Sequence, residues 1–328
     1  MEKIIETQDL KKYFGKVKAV DGISFSVERG EMFGFLGVNG AGKSTTINIL
    51  CTLFAPTSGK AAICGLDLEK DAEQIKRKIG IVYQNNCLDE RLSVKENLMV
   101  WSCLYGMTNR EQKERLVEIC NILDLSDVLG RRYGKLSGGQ KRRCEIAKAL
   151  MHRPEILFLD EPTTGLDPAT RKNVWETVEK LRREMGMTVF LTTHYMEEAA
   201  RATKIAIIEK GRLKVTGTPF SLKEQYASDK LYLIPQKGME ESVTVRLEQK
   251  AIPYQKKEER LIIRLRNSMD AFEMLEDVKA YIEGFEVVQG SMDDVFLRVT
   301  GRDISEEGTE RNKSEPICQA DGPGLKKQ

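Results

Sequence analysis

Two apolar runs flank a cluster of glycine, lysine and hydroxyl residues in FLGVNGAGKSTTINIL, residues 35–50. Within it GVNGAGKS, residues 37–44, matches G-x-x-x-x-G-K-[ST], a spacing that turns backbone N–H groups inward around phosphate oxygens. Gly37, Val38, Asn39, Gly40, Ala41 and Gly42 would form the cradle, and the helix that opens beyond it adds a partial positive charge. Lys43 can reach the outer phosphates and the Ser44 hydroxyl can ligate Mg²⁺, with Thr45 beside it. A glycine turn with a solvated lysine is the competing account, and it leaves the spacing unexplained.

Two further groups could join this chemistry. ILFLDE, residues 156–161, is a buried-type strand ending in two acids. Asp160 at the strand tip suits Mg²⁺, and Glu161 could orient or deprotonate an attacking water. Alone, such a pair also describes a solvated loop. KLSGGQKRRCEIAKALM, residues 135–151, sets Ser137, Gly138, Gly139 and Gln140 at a helix start. Its N–H groups and hydroxyl make a second anion site, or a flexible loop with a serine cap.

LSGGQ in combination with GVNGAGKST and ILFLDE resembles the ATP-binding cassette (ABC) family, over roughly residues 3–225. The resemblance implies Mg²⁺-dependent ATP hydrolysis with Glu161 as general base. Gln84, after IGIVY, becomes the Q-loop glutamine, acting in catalysis and at the metal. His194, after TVFLTT, becomes the switch histidine on the γ-phosphate, while His152 reads as structural. GLD, residues 165–167, matches the segment after the catalytic glutamate, and Asp167-Pro168 is also an N-cap and N1 pair. An aromatic is expected against adenine: Phe14 before Gly15 fits first and Tyr13 second, although either could simply pack in the core. Val38 stands where many relatives carry proline, with little consequence because the loop's donors are backbone groups.

The same resemblance implies two cassettes, expected to be a homodimer, stacked head to tail around two ATP molecules, with Ser137 to Gln140 acting in trans. It implies a separate integral membrane permease as partner, received near NNCLDERLSVKENLMVWSCLYG, where Trp101 and Tyr105 read equally well as core. The wording is most similar to the drug-resistance (daunorubicin-type) exporter group. That implies export of a drug-like or lipophilic compound from the cytoplasmic face of the membrane. The alternative is a soluble cassette ATPase working on the ribosome or on nucleic acid.

The elements that must position these groups read as α/β. Strands are expected at 23–27, 32–36, 79–83, 156–160 and 188–193, with a closing hairpin turning at Lys210-Gly211. Capping boxes at Ser93/Glu96 and Thr108/Glu111 open helices inside a mostly helical insertion, about 88–150, and Ser221/Glu224 is expected to open a last short helix. The second of these helices should bury Leu116, Ile119, Cys120 and Leu123 on one face. The expected fold is a P-loop NTPase ABC cassette over 1–228 with that insertion. A small α+β domain follows over 229–301, with LYLIP, SVTVRL and LIIRLR as strands, then a tail, 302–328, expected to be disordered.

Composition bounds the partners. Lys and Arg total 52 against 50 Asp and Glu, for a net charge of +2, so bulk charge gives no reason to expect nucleic acid. The cluster Lys141-Arg142-Arg143, with Arg131-Arg132 upstream, reads as a solvated helix face rather than a nucleic-acid patch. No apolar run approaches the ~18–20 residues that cross a bilayer. The N-terminus lacks the apolar core of a signal peptide, which places the expected protein in the cytoplasm. The seven cysteines are scattered, without a C-x-x-C pair, which fits a reducing compartment.

Overall fold

A computed structural model describes residues 2–301; the expected tail 302–328, Cys318 included, lies outside the described residues. The chain begins with β1 (Lys3–Phe14), β2 (Val17–Glu28) and β3 (Met32–Leu36), then α1 (Lys43–Leu50), β4 (Ser58–Ile63) and β5 (Leu66–Asp67). After α2 (Ala72–Lys78) and β6 (Ile79–Val82) come three helices, α3 (Val94–Leu104), α4 (Asn109–Leu123) and α5 (Gly138–Leu150). β7 (Ile156–Asp160), α6 (Pro168–Met185), β8 (Thr188–Thr193) and α7 (Met196–Ala199) follow. β9 (Lys204–Glu209), β10 (Arg212–Gly217) and α8 (Pro219–Tyr226) close this part. The remainder runs β11 (Asp229–Pro235), α9 (Glu240–Gln249), β12 (Tyr254–Lys257), β13 (Arg260–Leu265), α10 (Asp270–Val278), β14 (Ile282–Val288) and α11 (Met292–Thr300).

The central sheet has the order β10-β9-β3-β8-β7-β6. Its strands from β9 to β6 are parallel, and β10 adds an antiparallel edge. Every residue of β3, β7 and β8 is buried, as expected of a parallel sheet covered on both faces. Alternate side chains serve the two sides. Met32 and Leu36 join the core under the helices, whereas Phe33 and Phe35 join the core under β1, β2 and α1. On that second side Phe33 stacks between Phe25 and Phe190, each 5.4 Å away centroid to centroid. The opposing layer is an antiparallel sheet of order β2-β1-β4-β5. Its first long strand had no sequence signal, because its outward residues are charged and hide the alternation.

The helical arm follows its capping signals. Both expected boxes form at Ser93 and Thr108, and α4 buries Leu116, Ile119, Cys120 and Leu123. Lys210 and Gly211 both have positive φ in the β9–β10 turn, the geometry of a tight hairpin. One start differs from expectation. Thr218, not Ser221, caps α8: its Oγ1 accepts from Ser221 N at 3.1 Å, and Pro219 takes the first helical position.

The C-terminal part corrects the reading of SVTVRL as a strand. It lies in α9, where Val243 and Leu247, four apart, are buried and Val245 is exposed. The β-branched run imitates a two-residue period, but packing uses the helical one. The result is a β-α-β-β-α-β unit with an antiparallel sheet ordered β12-β13-β11-β14. The final helix leaves that unit: Met292, Val295 and Phe296 of α11 belong to the core under the helices of the first part.

Candidate active site

Sheet order brings β3, β8 and β7 side by side, so their C-terminal ends meet at one edge. From β3 comes the glycine loop. Gly40 and Gly42 have φ of 77° and 109°. A Cβ on Gly42 would stand 2.4 Å from Ala19 O, and one on Gly37 2.5 Å from Ile208 O. Glycine is therefore required at both places, by close backbone approach. Val38 is half-buried against both cores, Asn39 is exposed, Ala41 is buried, and Thr45 lies half-buried in the first turn of α1.

Lys43 is buried. Its Nζ donates to Gly37 O at 2.7 Å and Val38 O at 3.1 Å, and lies 3.3 Å from Glu161 Oε1. Ser44 Oγ donates to Asp160 Oδ1 at 3.2 Å, across 116 residues of chain. Thr192 Oγ1 donates to the same oxygen at 2.5 Å. Asp160 is 8% exposed, and no cation pairs with it among the described residues. Its partners are neutral hydroxyls, and hard oxygen donors of this kind suit Mg²⁺.

Glu161 sits in the left-handed region, φ 45°. Its N–H points to Thr192, 3.2 Å from both the carbonyl oxygen and Oγ1. His194 Nδ1 lies 3.3 Å from Glu161 Oε2, within ion-pair reach but outside hydrogen-bond alignment. Thr164 Oγ1 donates to that oxygen at 3.3 Å. The approach of His194, followed by the Lys43 charge, outweighs burial and holds the Glu161 carboxyl down to about 2. Behind it, buried Glu198 accepts from Thr193 Oγ1 at 2.7 Å and from Thr163 Oγ1, tying the loops after β7 and β8 together. Sequence reasoning missed Thr192 and Glu198. Two threonines at the end of TVFLTT were the only trace of the first.

Other expected residues lie outside this cluster. Gln84 is exposed beyond β6, and no hydrogen bond joins its side chain to the cluster among the described residues. Phe14 is 46% exposed at the end of β1, edge-on to Phe54 with centroids 5.7 Å apart. Tyr13 is committed elsewhere, its hydroxyl donating to Asp21 Oδ1 at 2.5 Å. Asp167 caps α6, accepting from Thr170 N at 3.0 Å; the Thr170 side chain, followed by this backbone bond, lowers its pKa. His152 has a structural setting, with its ring 3.8 Å from that of Tyr105 and Nε2 2.9 Å from Ile79 O.

Ser137 to Gln140 form a capping box at the start of α5: Ser137 Oγ accepts from Gln140 N, and Ser137 N donates to Gln140 Oε1. Ser137 and Gly138 are exposed. A Cβ on Gly139 would come within 2.6 Å of Thr170 Cγ2, so glycine lets α5 start against α6. Further along α5, the basic run is not the expected solvated face. Arg142 is 4% exposed and donates to Tyr83 O at 2.5 Å, while Arg143 donates to Leu123 O and Asp124 O at the end of α4. Lys141 pairs with Glu90 at 3.1 Å. Helix α4 ends with carbonyls lacking intrahelical donors, and the Arg143 guanidinium supplies donors there. Buried Glu145 accepts from Cys87 N, Leu88 N and Tyr133 Oη and pairs with Lys148, which binds the loop after Gln84 to the same helix.

A profile of the family described as ABC transporter matches residues 20–164, and one described as ATP-binding protein DrrA1-3-like, C-terminal domain, matches residues 217–300. The daunorubicin/doxorubicin resistance ATP-binding protein DrrA of Streptomyces peucetius is 36% identical over 319 residues, 95% of this chain and 96% of that protein. The probable multidrug ABC transporter ATP-binding protein YbhF of Escherichia coli strain K12 is 41% identical over 228 residues, 70% of this chain. The match spans 39% of that relative's length. Among solved structures, the dimeric post-hydrolysis state of the ATP-binding cassette MJ0796 bound to ADP and Pi aligns with a TM-score of 0.59 at 28% identity. The alignment covers 65% of this chain and 98% of that one.

Proposed function

Because this chain belongs to the ABC transporter family, we propose that it binds and hydrolyses ATP and thereby powers a separate integral membrane permease. The meeting of Lys43, Ser44, Asp160, Glu161 and His194 at one sheet edge carries this reading. A triphosphate would engage the loop's N–H groups and draw the Lys43 ammonium away from Glu161 and the loop carbonyls. Losing that neighbouring charge raises the proton affinity of Glu161, which suits a base acting on water. His194 stands beside it to contact the γ-phosphate.

Ser44 and Asp160 are proposed to hold Mg²⁺, with Gln84 joining from the exposed loop beyond β6. When bound, the ion would neutralise charge on the β- and γ-phosphate oxygens. No group of three or more His, Cys, Asp or Glu side chains among the described residues could hold a metal by itself, so phosphate oxygens would complete the shell. Phe14 is proposed to stack on adenine, its ring exposed where Tyr13 is tied to Asp21. Asp167 is proposed to line the nucleotide interface while capping α6.

Among the described residues no hydrogen bond or ion pair joins the signature residues Ser137 to Gln140 to the Lys43 cluster, and a head-to-tail second copy would bring them over the nucleotide. ATP would then close two cassettes and hydrolysis would release them. In this reading residues 1–228 perform the ATP chemistry and residues 229–301 are accessory. The named relatives are ATP-binding proteins of drug-resistance and multidrug systems, and by that likeness the exported compound is drug-like or lipophilic. The chain would sit peripherally at the cytoplasmic face, held by its permease; no helix among the described residues is long and apolar enough to cross a membrane. A nucleic-acid clamp has less support, since Arg142 and Arg143 are spent on carbonyls inside the chain.

The test is Glu161→Gln. ATP hydrolysis should fall by about 10²–10⁴-fold while ATP binding persists and the dimer accumulates, followed by phosphate release and light scattering. Turnover like the parent's removes Glu161 from the role of base.

A further inference from the structure

Helices α9 and α10 cover one face of the accessory sheet, burying Leu231, Leu233, Leu261 and Ile263. Strand register puts Lys230, Lys257, Arg260 and Arg264 on the other face, against one acid, Glu286. That face is electropositive, which concentrates anions near it. Where it meets α11 and the segment after α8 there is a cavity of about 410 Å³, lined in part by Tyr226, Ser228, Lys230, Arg264, Asp294 and Arg298.

The charges in this cavity do not balance. Asp294 is committed: it accepts from Lys230 Nζ at 2.7 Å and caps α11 through Ser291 N and Oγ. Lys230 is thereby neutralised. The Arg264 and Arg298 side chains have no ion pair or hydrogen bond among the described residues, nor do the Tyr226 and Ser228 hydroxyls. Arg264 and Arg298 line the same cavity without a carboxylate partner, and each presents a planar fork suited to paired oxygens. The volume lies in the range of small-molecule sites.

We propose that this cavity binds a small organic anion bearing carboxylate or phosphoryl oxygens, gripped by Arg264 and Arg298. Arg264 belongs to the accessory sheet, and α11, which carries Arg298, is rooted in the core of the first part. An anion shared by the two ties the accessory unit to the ATPase unit, so its occupancy couples them. The inference stands apart from the ATPase reading, because none of its residues belongs to the Lys43 cluster.

Isothermal titration of the full chain with citrate, and separately with glycerol 3-phosphate, tests it. The parent should bind one of them saturably, and the probe that binds distinguishes a carboxylate from a phosphoryl ligand. Arg264→Gln and Arg298→Gln should each weaken binding at least about tenfold, and the double variant should lose it together with any ligand-dependent rise in Tm. Both side chains are exposed, so the fold should survive. Arg298→Lys keeps the charge without the fork, and should bind between parent and Arg298→Gln. Undiminished binding in the double variant, or no saturable heat with either probe at about 10 mM, overturns the site.

Discussion

Thr192 holds two acids at once at the tip of β8. Its hydroxyl donates to Asp160 Oδ1 and receives the N–H of Glu161. Glu161 needs that support, because a left-handed φ costs a non-glycine residue roughly 1–2 kcal/mol. Thr192→Val keeps the shape and removes the hydroxyl. It should lower kcat about 10–100-fold, as loss of a supporting partner behind a metal ligand does, with ATP affinity near the parent's. Steady-state turnover and equilibrium ATP binding measure the two separately; an unchanged kcat denies the role. Glu161 also has a pH signature. Its pKa falls from 4.5 to about 2 on folding, so its stabilising share is complete above the unfolded value and is lost as pH drops through the folded one. The stability gap between parent and Glu161→Gln should therefore narrow as pH is lowered from about 4.5 to about 2, read by denaturant unfolding. Motif spacing located Lys43 and Ser44, the strand tip of ILFLDE located Asp160 and Glu161, and the family resemblance located His194. None of these signals located Thr192 or Glu198, since Thr192 acts on the two acids that end β7 and Glu198 reaches across to Thr163 in the loop after β7.

Helix α5 joins the exposed signature to the loop after Gln84. Glu145, fully buried, bonds Cys87 N and Leu88 N, and its partner Lys148 lies 5.0 Å from the Trp101 ring centroid. Glu145→Ala would leave a buried ammonium and two N–H groups without their acceptor. Losses of about 3–5 kcal/mol follow such a break, and urea unfolding of the full chain would measure it; a loss below about 1 kcal/mol would deny Glu145 that tethering role. The amphipathic pattern of α5 was legible, because Cys144, Ala147 and Leu150 recur at helical spacing and are buried. The inward turn of Arg142 was not, since a basic residue in a charged run carries no mark of the carbonyl that awaits it.

Helix α11 carries the end of the C-terminal part into the core of the first part. Its destination was not readable in the sequence: a capping box at Ser291 starts the helix, and Phe296 packs into the core under the helices of the first part. Phe296→Ala should cost about 3–5 kcal/mol and lower the Tm of the ATPase unit, although the residue lies far along the chain from the nucleotide loop. Differential scanning calorimetry checks this. A loss confined to a separate C-terminal transition would contradict the shared core. The profile matching residues 217–300 spans both α8 and α11, the two helices that meet where the accessory unit begins and ends.

The local grammar of this chain determined its glycine loop, the capped start of α5 and its buried parallel strands. Glycine spacing, helix caps and runs of apolar residues act over a few residues, and a short window contains everything they need. Tertiary structure decided which strand tips become neighbours. β3, β8 and β7 lie adjacent in an order unlike their order in sequence, and a bond such as Ser44 to Asp160 spans 116 residues. It also chose a helix over a strand for SVTVRL and sent α11 back across the chain. Those choices depend on which apolar faces can cover one another, a property of assembled surfaces rather than of any single segment.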